Sequence, residues 1–167
     1  VLKKVIERTG KLKIGSPEES SNNYGPVSSK SAYEGILEYI EVGKKEGKLE
    51  LGGSKHDTAD GGYYIAPTIF SGIDPMARIS QEEIFGPVLA FIKARDFDQA
   101  IEIANNTEFG LTGAVYSRNR AHLEKARREF YCGNLYINRK CTGALVGVHP
   151  FGGFNMSGTD SKAGGRD

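Results

Sequence analysis

The stretch Val88-Leu89-Ala90-Phe91-Ile92 is a continuous apolar run of strand length. Such a run is typical of a strand that is buried on both faces of a parallel sheet. After it, the sequence predicts a helix over residues 98–105 and a second helix that Asn119 or Ser117 caps and that runs to about Phe130. Strands are predicted over residues 111–116 and 133–138. This β-α-β-α-β order predicts an α/β fold with an open, mainly parallel, doubly wound sheet.

The chain before this stretch also alternates between helices and strands. A helix is predicted over residues 30–46 and a short strand over residues 49–52. A second strand is predicted over residues 63–70, where Pro67 should make it irregular or place it at a sheet edge. Ser80-Gln81-Glu82-Glu83 resembles a capping box, which predicts one helical turn that begins at its serine.

Length and composition narrow the classes of function. The chain has 167 residues, the size of one domain, and 22 Lys and Arg against 21 Asp and Glu. The net charge of +1 gives no electrostatic attraction to a nucleic-acid backbone or an anionic membrane. No apolar run reaches the roughly 18 residues that a membrane span needs. Two cysteines suit a reducing compartment and exclude a disulfide framework. Since the chain lacks an initial Met and a closing element, we expect a segment of a longer protein.

Metal ligation and nucleophilic catalysis find little support in the sequence. His56, His122 and His149 are scattered, and there is no H-x-x-x-H or C-x-x-C pair, so no metal site is predicted. Cys132 closes a predicted helix and is typical of a small buried hydrophobic residue. Cys141 follows two basic residues but has no base near it in the sequence. No residue is therefore assigned as catalytic.

Two segments could bind a ligand. The first, residues 81–88, places glutamates before an aromatic residue and a Gly-Pro turn. Helix capping and turn formation would explain this pattern. The alternative is a ligand site, in which a carboxylate accepts hydrogen bonds from ribose hydroxyls and an aromatic ring lies against a flat ligand. The second, residues 138–158, is a Gly- and aromatic-rich loop after a strand, where the amides of Gly143 and Ala144 could receive an anion. Residues 105–116 are interpreted as a helix exit that feeds a buried strand.

Three motifs carry a resemblance to a known family. E-E-I-F-G-P-V (82–88), N-N-T-E-F-G-L-T-G-A-V-Y-S (105–117) and P-F-G-G-F-N-M-S-G-T-D (150–160) resemble, in this order, the C-terminal part of the aldehyde dehydrogenase superfamily. The segment C-T-G-A-L-V-G-V-H-P-F-G-G (141–153) looks like one branch, the 1-pyrroline-5-carboxylate dehydrogenases. The resemblance runs over essentially the whole chain. It implies NAD-dependent oxidation of glutamate γ-semialdehyde to glutamate in proline degradation.

The resemblance also implies roles for individual residues. Glu83 matches the glutamate that accepts hydrogen bonds from the nicotinamide ribose, and Phe85 matches the aromatic residue packed beside it. Gly143 and Ala144 match a loop whose amides hold the substrate α-carboxylate, and Phe151 matches an aromatic wall of the aldehyde pocket. The implied whole enzyme takes NAD and a small-molecule substrate, binds neither nucleic acid nor membrane, and is a homo-oligomer. It is cytoplasmic, or mitochondrial if a targeting peptide precedes this segment.

Departures from the family pattern limit what this chain can do alone. The family's catalytic cysteine lies in a G-Q-x-C setting that neither Cys132 nor Cys141 matches. We expect that cysteine, the cofactor domain and the final oligomerisation strand to lie outside this C-terminal catalytic-domain fragment, which should be inactive by itself. Glu50 lies in an E-L-G-G sequence like that of the family's general base, but no cysteine follows at the right distance, so it is interpreted as an ordinary strand residue. A fragment of another semialdehyde dehydrogenase and a non-catalytic interaction domain remain as alternatives.

Overall fold

The computed structural model describes residues 1–142, 145, 147–159 and 163–164. The chain forms two compact units, residues 1–93 and residues 94–167. The helices and strands of the first unit are, in chain order, α1 (Leu2–Thr9), α2 (Lys30–Glu46), β1 (Lys48–Leu51), β2 (Thr68–Ser71), α3 (Arg78–Gln81) and β3 (Val88–Phe91). Within its sheet, β2 is the central strand, antiparallel to β1 and parallel to β3.

Helix α2 supplies the main apolar face of the first unit. The side chain of Ser29 accepts a hydrogen bond of 3.1 Å from an amide of the first turn, and the helix has the predicted bounds. Ile36 and Ile40 are fully buried in the same cluster as Phe70 of β2. Gly43 allows the ring of Phe70 to approach the helix, because a Cβ at Gly43 would lie 2.6 Å from that ring.

Two strand predictions differ from the structure. Leu89 of β3 is 44% exposed and the rest of β3 is half-buried, so the prediction of burial on both faces is wrong for this unit. The reason is that β3 lies at the edge of the described three-stranded sheet. The strand predicted over residues 63–70 begins only after Pro67, and the resulting β2 is central rather than an edge strand.

Helix α3 begins at Arg78, so the prediction of a capping box that starts at Ser80 is wrong. Ser80 lies inside the helix, and its hydroxyl donates to the carbonyl oxygen of Asp74 at 3.1 Å. The carboxylate of Glu46, the last residue of α2, accepts hydrogen bonds from the amides of Arg78 at 3.0 Å and Ile79 at 3.1 Å. The first turn of α3 is therefore capped by a residue 32 positions earlier in the chain.

The second unit confirms the predicted alternation of helices and strands. Its elements are α4 (Phe97–Asn105), β4 (Thr112–Val115), α5 (Arg120–Glu129), β5 (Asn134–Ile137) and a 3₁₀ turn (Asn155–Ser157). β4 and β5 are parallel and are joined through α5, as parallel strands require a crossover connection. Asn119 caps α5, as one of the two predicted capping residues. Ile101, Val115 and Ala126 form the core between these elements.

Candidate functional site

The turn between α3 and β3 opens a surface depression of about 570 Å³ on the first unit. The residues that line it are Ile79, Glu82, Glu83, Ile84, Phe85, Gly86 and Val88. Gly86 anchors the turn against α2, because a Cβ there would lie 2.7 Å from the side chain of Ile36. The two residues of the first predicted segment, Glu83 and Phe85, therefore lie at one depression.

The two adjacent glutamates of this turn have different surroundings. The carboxylate of Glu82 accepts hydrogen bonds from Arg78 at 2.9 and 2.8 Å and from the hydroxyl of Tyr39 at 2.6 Å. The Arg78 guanidinium, followed by the Tyr39 hydroxyl, lowers the pKa of Glu82 to about 2. Glu83 has no hydrogen bond or ion pair to any residue that the structure describes. Of the two carboxylates, only that of Glu83 is open to a ligand.

Phe85 has an unusual backbone and an exposed ring. Its φ is 57°, in the left-handed region that costs a residue with a Cβ about 1–2 kcal/mol. The side chain is 84% exposed, so no packing in this unit compensates for that conformation. Backbone strain of this kind concentrates at functional sites, where it presents a side chain in a required direction.

The chemistry of this turn fits a sugar and a flat ring. An open carboxylate can accept two hydrogen bonds from neighbouring hydroxyl groups, as those of a ribose. An aromatic ring that projects into solvent offers an apolar face to a second ring. The turn could therefore hold a sugar that carries a flat ring, with Glu83 facing the hydroxyl groups and Phe85 facing the ring.

Phe151, from the second predicted segment, lies in the second unit and is half-buried. Its amide and carbonyl each form a hydrogen bond of 2.9 Å with Ala163. The side chain of Asn134, at the start of β5, donates to the carbonyl oxygen before Phe151 at 2.9 Å and accepts from the amide after it at 3.4 Å. Sequence reasoning missed Asn134, because its partners are 16 and 18 residues away and no local pattern marks them.

The second and third motifs are brought together in this unit. The carbonyl of Gly110 accepts from the amides of Gly133 at 2.8 Å and Phe154 at 3.0 Å, and its amide donates to the hydroxyl of Ser157 at 3.0 Å. A Cβ at Gly133 would lie 1.6 Å from the carbonyl oxygen of Gly152. As predicted, residues 105–116 lead from the end of α4 into β4, whose residues alternate between exposed or half-buried and buried positions, and they also hydrogen-bond to the segment that contains Phe151.

The predicted anion-binding residues Gly143 and Ala144 lie outside the described residues. Their neighbour Thr142 is described, and its hydroxyl accepts a hydrogen bond of 3.1 Å from Arg139.

The remaining candidates have structural partners. The ring of His122 stacks on Phe97 at 4.2 Å, and Nδ1 of His149 accepts from the amide of Leu145 at 3.3 Å. Cys132 is buried and Cys141 is exposed. Glu50 lies in β1, where Ser71 donates to it at 2.7 Å and Lys48 pairs with it at 2.9 Å. In the described part of the chain, no three metal-ligating side chains come together, and no helix there has the length and apolarity to cross a bilayer.

The whole chain, residues 1–167, matches the model of the aldehyde dehydrogenase family. The chain belongs to the aldehyde dehydrogenase family. This membership confirms the resemblance carried by the three motifs, and with it the predicted α/β class of fold.

Several of the similar aldehyde dehydrogenases are 1-pyrroline-5-carboxylate dehydrogenases. The 1-pyrroline-5-carboxylate dehydrogenases of Anoxybacillus flavithermus and of a Geobacillus strain are each 66% identical over all 167 residues. A solved 1-pyrroline-5-carboxylate dehydrogenase from Thermus with bound NAD is 57% identical, with a TM-score of 0.93 over 98% of this chain and 31% of that chain. The chain spans 32% of the length of the curated relatives it matches.

Proposed function

We propose that this chain is the C-terminal catalytic-domain part of an NAD-dependent 1-pyrroline-5-carboxylate dehydrogenase. The whole enzyme oxidises glutamate γ-semialdehyde to glutamate in proline degradation. The observation that carries the proposal is the open carboxylate of Glu83 beside the exposed, left-handed Phe85. The 66% identity to enzymes of that name supports the choice of substrate, and the NAD in the Thermus relative supports the choice of cofactor.

On the cofactor side, this chain supplies orientation. Glu83 accepts hydrogen bonds from the two ribose hydroxyls, and Phe85 lies against the ribose and the nicotinamide. When NAD is bound, it accepts the hydride that leaves the aldehyde carbon. The nucleophilic cysteine and the dinucleotide-binding fold belong to other parts of the longer protein, so the chain alone should not produce NADH.

On the substrate side, this chain supplies specificity. The amides of Gly143 and Ala144 hold the α-carboxylate, since small side chains let backbone N–H groups approach an anion. Phe151 forms a wall of the aldehyde pocket. The clamp of Asn134 around Phe151 supports this role, because it fixes the backbone on both sides of the ring.

The cofactor role is tested in the full-length enzyme with Glu83→Gln. A polar group that loses its hydrogen-bond partner costs about 1–3 kcal/mol of binding free energy. We therefore expect NADH to bind roughly tenfold more weakly or worse in a fluorescence titration. The matched control is Glu124→Gln, since Glu124 is exposed on α5 and lies in neither predicted ligand segment. Unchanged NADH affinity in Glu83→Gln would overturn the cofactor assignment.

The substrate role is tested with Ala144→Val, also in the full-length enzyme. Each charge-assisted hydrogen bond contributes about 1.5–3 kcal/mol, so loss of the amide pair should lower kcat/KM for glutamate γ-semialdehyde by about two to four orders of magnitude. An uncharged aldehyde of similar length has no carboxylate to lose, and its kcat/KM should fall much less. Equal losses for both aldehydes would show that the loop is structural and that the substrate class is wrong.

A further inference from the structure

Three side chains from two helices and a turn meet just before Glu83. The guanidinium of Arg78 binds both carboxylate oxygens of Glu82, at 2.9 and 2.8 Å. The hydroxyl of Tyr39 donates to the same carboxylate at 2.6 Å, and the guanidinium lies 5.5 Å from the centre of the Tyr39 ring. Each member therefore contacts the other two, and both oxygens of Glu82 are occupied.

This cluster ties the end of α3 to α2. Tyr39 and Glu46 are seven residues apart on α2, which places them on one face of the helix about 10 Å apart along its axis. Glu46 caps the first turn of α3, and Tyr39 holds Glu82, the residue that follows its last turn. The short helix is thus held to α2 at both ends.

The same contacts determine the direction in which the next residue points. Glu82 has an extended backbone, with φ −99° and ψ 148°. Consecutive side chains of an extended backbone point to opposite sides, so binding Glu82 toward α2 turns Glu83 away from it. The guanidinium of Arg78 is paired with Glu82, and the carboxylate of Glu83 stays unpaired among the described residues.

We propose that Tyr39, Arg78 and Glu82 form a positioning triad that keeps the carboxylate of Glu83 free and directed at the nicotinamide ribose of NAD. The proposal rests on the proposed function and adds three residues to it, none of which touches the cofactor. An isolated ion pair as exposed as Arg78 and Glu82, at 56% and 41%, typically contributes less than about 1 kcal/mol to folding. The two parallel hydrogen bonds from Arg78 fix the orientation of the Glu82 carboxylate.

The test uses the full-length enzyme and a direct titration with NADH. Tyr39→Phe removes one hydrogen bond to a charged group, and we expect the Kd for NADH to rise about threefold. Arg78→Lys keeps the charge but loses the bidentate fork, and we expect a rise of about tenfold. The KM for the aldehyde should not change in either variant. Because the triad acts through Glu83, adding Arg78→Lys to Glu83→Gln should weaken NADH binding little further.

Two matched controls separate positioning from folding. Tyr24→Phe removes a hydroxyl that donates to a carbonyl at 2.8 Å in the same unit, away from the turn. Arg95→Lys makes the same substitution at an exposed pair with Asp96, where the contact is 2.9 Å. Tyr24→Phe should lower Tm at least as much as Tyr39→Phe, and both controls should leave the Kd for NADH unchanged.

The outcomes separate this proposal from the proposed function. If Glu83→Gln weakens NADH binding and both triad variants do not, the triad is overturned while the cofactor role of Glu83 stands. Equal effects in the triad variants and the matched controls would also overturn the triad, since the loss would then reflect general destabilisation. If Glu83→Gln has no effect, both the cofactor role and a triad acting through Glu83 are overturned.

Discussion

The Glu83 turn, residues 78–88, and the Phe151 segment, residues 150–158, each present an aromatic residue but are held in different ways. Side chains from two helices hold the Glu83 turn, through Arg78, Tyr39 and Glu82. Backbone groups hold much of the Phe151 segment, where main chains approach closely at glycines. A side-chain network loses its contacts one at a time, whereas a backbone contact leaves no room for an added carbon atom. Substitutions should therefore act gradually in the first region and abruptly in the second.

The largest effect is expected for Gly133→Ala, which adds a carbon atom 1.6 Å from a main-chain oxygen. Since neither backbone can move aside cheaply, we expect the full-length enzyme to lose about 3 kcal/mol or more of unfolding free energy. Urea unfolding measures this loss. The control is Gly35→Ala inside α2, where no atom lies within 4 Å of the new Cβ. Because Ala favours the helix more than Gly does, the unfolding free energy should rise by about 0.5–1 kcal/mol. A wild-type urea midpoint for Gly133→Ala would contradict the comparison.

The next effect concerns two asparagines with the same local geometry. Asn134 binds the carbonyl and amide on either side of Phe151, and Asn105 binds those on either side of Phe130 at 2.5 and 2.8 Å. Replacing either with Ala should cost about 1–3 kcal/mol of stability, because backbone groups lose their partners. Phe130 packs against the core, so only Asn134→Ala should alter the ratio of kcat/KM between charged and uncharged aldehydes. Similar ratios in both variants would show that the Asn134 clamp is only structural.

Phe85→Gly should separate stability from function. Glycine adopts a positive φ without the Cβ penalty, so the full-length enzyme should gain up to about 1 kcal/mol of unfolding free energy. Loss of the ring should at the same time weaken NADH binding about tenfold, as for one lost aromatic contact with a flat ligand. Thermal unfolding and NADH titration of one preparation test both expectations. Undiminished NADH affinity would remove Phe85 from the site.

The smallest effect is the pH dependence that Glu82 contributes. Its pKa falls from 4.5 to about 2 in the folded protein, so its contribution to stability is complete above pH 4.5 and is lost as the pH falls through about 2. In Glu82→Gln, the urea midpoint should be lower than in wild type at pH 7, and the difference should shrink between pH 4 and pH 3. A difference that stays constant with pH would show that the Glu82 carboxylate is not held by its donors.

Local sequence patterns were sufficient for most elements of this fold. The apolar period of α2 and the alternation after Val88 depend on residues close in sequence, which is why these predictions match the structure. Glu83 and Phe85 were found through a short motif whose residues are also neighbours in space. Family membership followed from the order of three such motifs.

Other features were decided only by the tertiary structure. Apart from the family resemblance, the local pattern offers Glu82 and Glu83 as equivalent carboxylates, and the contact of Tyr39, 43 residues earlier, with Glu82 distinguishes them. The start of α3 depends on Glu46, and the geometry around Phe151 depends on Asn134. Each of these contacts joins groups that are distant in the chain, and their positions follow from how helices and strands pack. The sequence therefore determined which residues could serve a ligand, and packing decided which carboxylate is left free to do so.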